Sequence, residues 1–140
     1  MTIAQWSDDY KTGEKEIDKE HWGLFALIND LNEKRLHGAD EKSIASTLYA
    51  LVAYVDVHFE HEERLMEETG YPELDSHKKA HEALDRRVME FQDAFLGSPE
   101  TFDFEALMDF LSNWLQQHIL KLDMDFAAYH KKRQGEGGSA

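Results

Sequence analysis

The chain has 140 residues, enough for one domain with a full hydrophobic core and no need of cross-links. It has no cysteine, which excludes disulfides, thiolate zinc sites and iron–sulfur clusters. Acidic residues number 29 against 15 basic ones, and the formal charge of -14 sets up a field that repels phosphate, so nucleic acid and anionic membranes are poor partners.

The chain opens on residues 1–17, an irregular leader in which Trp6, Tyr10 and Ile17 are expected to pack across the body of the fold. The leader lacks a basic start followed by an apolar run, so no signal peptide is expected. No stretch approaches the ~18 apolar residues of a membrane span, and a soluble cytoplasmic protein is expected. A first helix is predicted over 18–37, with Asp18 as its N-cap and Leu24, Phe25, Ile28 and Leu31 as its apolar stripe. The break HGAD (37–40) follows, and Asp40 is placed to cap a second helix over 41–69. That helix buries Ile44, Leu48, Leu51, Val52, Val55, Phe59 and Leu65. After TGYPE (69–73) comes a third helix over 73–96 with Leu84, Val88, Phe91 and Phe95, and after GSPET (97–101) a fourth over 102–131 running from Phe104 to Leu122. Gly38, Gly70 and Gly97 suit left-handed helix ends, while Pro72 and Pro99 fit at or just before a first turn. The glycine-rich end, within 132–140, reads as a flexible tail. No segment alternates with period two, so the fold class is all-α: an antiparallel up-down-up-down four-helix bundle occupying 1–131 as one domain.

The polar residues on the stripes are informative. In a helical hairpin, residues equally distant from the turn lie at the same height, each residue advancing ~1.5 Å along the axis. His58 and His81 are symmetric about the 69–70 bond, and so are Glu62 and His77. His21 and His58 are symmetric about the 39–40 bond, and His118 mirrors the midpoint of His77 and His81 about the 98–99 bond. Three separate turns thus bring the polar groups of four helices to one level. The i, i+4 pairs His58/Glu62 and His77/His81 each share a helix face. One ordinary core histidine with a hydrogen-bond partner is common; five at one height are not.

A seventh member is less plain from spacing. Asp123 follows His118 by five residues, ~140° past a full turn, whereas Asp125 has the better angle but lies ~10 Å along the axis. A local bulge would turn Asp123 inward; on helix geometry both candidates stand. Neutral imidazoles with carboxylates suit two borderline divalent metals, with a carboxylate able to bridge them. Five histidines cannot fill two octahedral shells, which leaves room for a small exogenous molecule. Phe59, Trp114, Leu115 and Ile119 would wall that position with hydrocarbon, although each also reads simply as bundle core. His61, about 100° from Glu62, is expected to face solvent or an interhelical edge. His37 and His130 read as surface residues, and Glu60, Glu63, Glu67 and Glu68 as solvated faces.

These residues resemble the hemerythrin family, specifically the single-domain bacterial hemerythrins. The resemblance rests on His21-Trp-Gly-Leu24, on His58-Phe59-Glu60-His61-Glu62, on His77–His81 and on His118-Ile119 with Asp123, in this order over about residues 6–130. The leader, with Trp6, Gly13, Ile17 and Asp18, is also similar to the family's entry segment. The resemblance implies a non-heme di-iron centre: His77, His81 and His118 on one iron, His21 and His58 on the other, with Glu62, Asp123 and an oxo or hydroxo group bridging. It selects Asp123 over Asp125, and it implies an oxygen pocket around Phe59, Trp114, Leu115 and Ile119.

The expected function is reversible dioxygen binding for carriage, storage or delivery to an oxygen-consuming enzyme, in a monomer. The apolar wall and the absence of the paired E-x-x-H motifs of ferritin-like oxidases rank an enzyme second, whether oxidase, peroxidase or nitric-oxide handler. An oxygen or redox sensor module ranks third. Without the resemblance, zinc or manganese would suit the same donors.

Overall fold

Apolar residues at every third or fourth position give each long helix one stripe, and mutual burial of those stripes dictates the architecture. The computed structural model describes residues 8–138, leaving aside the side chains of Asp9, Ile119, Leu120 and residues 134–138. Helices α1 (Lys15–Leu36), α2 (Glu41–Thr69) and α3 (Leu74–Gly97) run up, down and up. The fourth rod is composite: α4 (Phe104–Gln117), a π-helical segment (His118–Asp123) and α5 (Met124–Gly138). Single 3-10 turns lie at Asp8–Tyr10 and Pro99–Thr101, and no strand occurs among the described residues. The fold is the expected antiparallel four-helix bundle. None of the described helices is long and apolar enough to cross a membrane.

The core draws on every rod, with Leu24, Ile28 and Leu31 meeting Leu48, Leu51, Val88, Leu107, Leu111 and Leu115, all nearly or fully buried. At ~1.5–3 kcal/mol for each large side chain removed from water, this apolar seam is the main force holding the helices together. Met66, fully buried, takes the inward place that the sequence pattern gives to Leu65, which is half-buried. Met66 follows Phe59 by two full turns and Glu62 by one, so it continues their face.

Helix ends follow their sequence signals with two exceptions. Asp40 accepts from Ser43 N at 2.8 Å and Asp103 from Ala106 N at 3.0 Å, capping α2 and α4. Gly70 closes α2 at φ +69°, with Tyr71 N bonded to Met66 O at 2.9 Å and Gly70 N to Glu67 O at 3.1 Å. The Tyr129 hydroxyl, 3.0 Å from both Thr69 O and Gly70 O, fastens α5 to this turn. Gly97 differs: it is the last residue of α3 and has no positive φ, the chain leaving instead through Ser98 at φ -149° and ψ 73°.

Asp18 is the second exception. It lies inside α1, which begins at Lys15, and its carboxylate accepts from Thr12 N and Thr12 Oγ1 at 2.7 Å and Gly13 N at 3.2 Å. It therefore ties the leader down rather than capping the helix. Tyr10 rests its ring 5.2 Å from that of Phe25, and Ile17 is buried within α1; Trp6 falls outside the described residues. Helix α5 runs on to Gly138, past residue 131, because no proline interrupts the backbone ladder carried over from the preceding turn.

Candidate metal centre

The height-matched polar residues meet at one buried point. His21, His58, Glu62, His77, His81, His118 and Asp123 are each at most 3% exposed. Their donor atoms fall into two groups, Glu62 with His77, His81 and His118, and Glu62 with His21, His58 and Asp123, in which the atoms lie within 4.8 Å of one another. Glu62 divides its oxygens between the groups: Oε1 is 2.7 Å from His77 Nε2 and 3.3 Å from His81 Nε2, while Oε2 is 3.2 Å from His58 Nε2. Asp123 does the same, with Oδ1 3.0 Å from both His77 Nε2 and His118 Nε2 and Oδ2 2.9 Å from His21 Nε2.

Local structure explains how Asp123 arrives there. Residues 118–123 form a π-helical segment, whose i→i+5 pattern brings residues five apart onto one face. Asp125, the competing carboxylate, is exposed. A wide turn of this kind leaves the α4 stripe and the α5 stripe each facing the core while supplying one extra residue between them.

The donor set fits metal ions better than a closed hydrogen-bond network. Among the described residues, His21 Nε2, Glu62 Oε2 and both Asp123 oxygens have no hydrogen-bond partner despite their close approach. His81 Nε2 and His118 Nε2 face each other at 3.2 Å, a contact that needs a proton or a cation to relieve lone-pair repulsion. Two donors held ~2.1 Å from one ion at a right angle lie about 3 Å apart, and the spacings above cluster around that value.

Without a cation, His58 and His118 hold protons while Glu62 and Asp123 stay ionised. Burial opposes charge on His58, yet the Glu20 and Glu62 carboxylates raise it to about 10. His118 rises to about 9, burial again opposing and Asp123 and Glu62 prevailing. Burial and the neighbouring Glu62 both push Asp123 up, but the imidazoles, His118 foremost, hold it at about 2. Glu62 lies well below the ordinary carboxylate value, the surrounding imidazoles overcoming its burial. The cluster thus has the charge pattern of a site where divalent cations compete with protons.

Hydrocarbon and aromatic rings cover the cluster. Phe59 stacks on His81 with centroids 3.6 Å apart and planes within 5°, Trp114 lies 5.0 Å over His118, and Leu115 is fully buried. The side chain of Ile119 lies outside the described residues. Phe59 and Trp114 therefore contact the three-histidine group, and Phe59 also comes within 5.9 Å of the His58 ring.

Two carboxylates that spacing did not single out stand behind the cluster. Glu20 Oε1 accepts from His58 Nδ1 at 2.8 Å and its Oε2 from His61 Nδ1 at 2.6 Å. Glu63, expected on a solvated face, instead reaches His81 Nδ1 at 2.7 Å. The signal for Glu20 was its position level with His58 across the α1–α2 hairpin; Glu63 had only its place beside Glu62. His61 does face the interhelical edge and His37 is exposed. His130, expected at the surface, is largely buried, its Nε2 2.7 Å from Glu14 and its ring stacked on Phe126, because α5 packs against the start of α1.

Comparison with known proteins is consistent with this geometry. Residues 12–129 match the hemerythrin HHE cation-binding domain. The chain is 36% identical to a bacteriohemerythrin of Pseudomonas aeruginosa over 99% of its own length and 93% of the relative's. It is 34% identical to a hemerythrin-like protein of Naegleria gruberi over 86% of its length and 88% of the relative's. A crystal structure of wild-type hemerythrin superposes with a TM-score of 0.79 at 26% identity, covering 89% of this chain and 95% of that one.

Proposed function

The chain belongs to the hemerythrin family, and from that premise we propose that it binds dioxygen reversibly at a non-heme di-iron centre held by His21, His58, Glu62, His77, His81, His118 and Asp123. The observation that carries the reading is the division of oxygens at Glu62 and Asp123, one oxygen of each facing the three-histidine group and the other the two-histidine group. A pair of ferrous ions there would supply two electrons to dioxygen and recover them on its release.

The chain's own residues account for selectivity and restraint. Three imidazoles and two carboxylate oxygens surround one position, but only two imidazoles and two oxygens the other, so an external small molecule finds its place at the latter. Phe59, Trp114 and Leu115 present hydrocarbon, which admits a small neutral molecule and withholds the proton that O–O cleavage would need. These features favour a binding protein over an enzyme. A net charge of -14 keeps copies apart by mutual repulsion, which supports a monomer.

The test is a cycle of optical spectra on anaerobically reduced, iron-loaded protein exposed to air and then to vacuum. Recovery of the reduced spectrum over repeated cycles is expected. Irreversible oxidation on first exposure would overturn the proposal in favour of an oxidase or a redox sensor.

A further inference from the structure

We propose that Glu20 is a positioning residue that acts through His58 to set the strength of the two-histidine metal position. This deepens the di-iron reading and rests on it for the identity of the site, but it concerns a residue outside the seven candidate ligands.

The geometry is a three-residue brace between α1 and α2. His58 presents Nε2 to Glu62 Oε2 at 3.2 Å and Nδ1 to Glu20 Oε1 at 2.8 Å, so both ring nitrogens are committed and the ring cannot turn without losing both contacts. The side chain of Glu20 is 16% exposed and that of His58 1%, which shields their hydrogen bond from competing water. The second Glu20 oxygen is held by His61 Nδ1 at 2.6 Å, from a side chain 48% exposed.

His21 provides the contrast within the same position. It is fully buried, yet its Nδ1 has no hydrogen-bond partner among the described residues. Of the two imidazoles there, His58 alone is backed by a carboxylate among the described residues. An imidazole that donates its second N–H to a carboxylate is fixed in tautomer and is the stronger donor to a metal, and loss of such a partner commonly weakens metal binding ~10–100-fold. On the three-histidine side Glu63 plays the matching part for His81 at 2.7 Å. Glu20 thus governs the position at which the small molecule is proposed to bind.

The experiment uses the full chain, stripped of metal and titrated with Co(II) under nitrogen, with absorption and proton magnetic resonance as readouts. Wild type is expected to take up two equivalents and to show a shifted, slowly exchanging ring N–H from His58. Glu20→Ala should bind one equivalent as wild type does and the other ~10–100-fold more weakly, with the His58 N–H signal lost to exchange. Glu20→Gln, whose amide oxygen still accepts the hydrogen bond, should fall between and keep the signal. His61→Ala should leave both equivalents near wild type. Wild-type affinities and an unchanged N–H signal in Glu20→Ala would overturn the proposal. So would equal weakening of both equivalents without rescue by Glu20→Gln, which would mark a merely structural role. Failure of the wild type to bind two equivalents would overturn the di-iron reading and this proposal together, whereas failure to bind dioxygen would leave the cobalt result standing.

Discussion

Asp123 Oδ1 lies 3.0 Å from His118 Nε2 although five residues separate them, a spacing that a regular α-helix would splay apart. The π-helical segment makes the contact possible, and through it the fourth rod contributes two donors to the buried cluster. Asp123 is then the counterion for His21, His77 and His118 at once.

Replacing Asp123 by Ala should leave the bundle helical and reduce bound metal below two ions per chain. Removing one member of a buried charge network typically costs ~3–5 kcal/mol, so a lower unfolding midpoint is also expected. Elemental analysis with far-UV circular dichroism checks both, and retention of two ions would refute a bridging role for Asp123.

In the metal-free protein, stability should fall on raising the pH. His58 and His118, raised to about 10 and about 9 in the fold from an ordinary 6.5, stabilise it fully below about 6.5, and that contribution is lost as the pH rises through their folded values. Asp123 and Glu62 are lowered, so their contribution is present above about 4 and is lost as the pH falls through their folded values, about 2 for Asp123. Urea midpoints without metal should therefore be highest between about pH 4.5 and 6.5 and lower at pH 9.5. Added metal should raise the midpoint more at pH 8 than at pH 6, because the proton concentration that competes for the imidazoles is lower. A metal-free midpoint that climbs from pH 6 to 9.5 would contradict the assigned shifts.

Gly23 faces Tyr54 so closely that an added Cβ would sit 2.1 Å from the hydroxyl and 2.6 Å from Cζ. Gly23→Ala gains ~1 kcal/mol of helix propensity but forces the tyrosine ring aside at ~1–3 kcal/mol. A net loss of up to ~2 kcal/mol is expected. In a Tyr54→Ala background the same change should stabilise by ~1 kcal/mol. A double-mutant cycle measured by denaturant unfolding would show no coupling if the ring does not set the requirement for glycine.

Leu115→Ala opens space in a fully buried part of the core and should cost ~2–5 kcal/mol. Iron content should remain at two while oxidation in air accelerates, since water gains access to the cluster. Stopped-flow spectra of the reduced variant give the rate, and an unchanged rate would mean that Leu115 is no barrier.

The bundle and the meeting of six polar residues were legible because both depend on periodicity and on symmetric distances from turns. His21, His58, Glu62, His77, His81 and His118 follow from counting along α1 to α4. Asp123 did not follow from counting alone, since no residue in 118–123 announces a wide turn by its type. Met66 displaced Leu65 because a helix of 29 residues accumulates a drift in its inward face that a short window misses. Glu20 and Glu63 stayed hidden for another reason: acidic residues abound in this chain, and only tertiary contact distinguishes two that back imidazoles from those that face water. Asp18 carried a cap signal but met the leader first.

The π-helical segment also orders events in time. His118 and Asp123 leave the ribosome after the other five candidate donors, so the nascent chain can assemble three rods and an incomplete cage before either arrives. Neither donor group is complete until the last rod has docked, so an ion held by all the donors of its group would seal a finished molecule rather than seed an unfinished one.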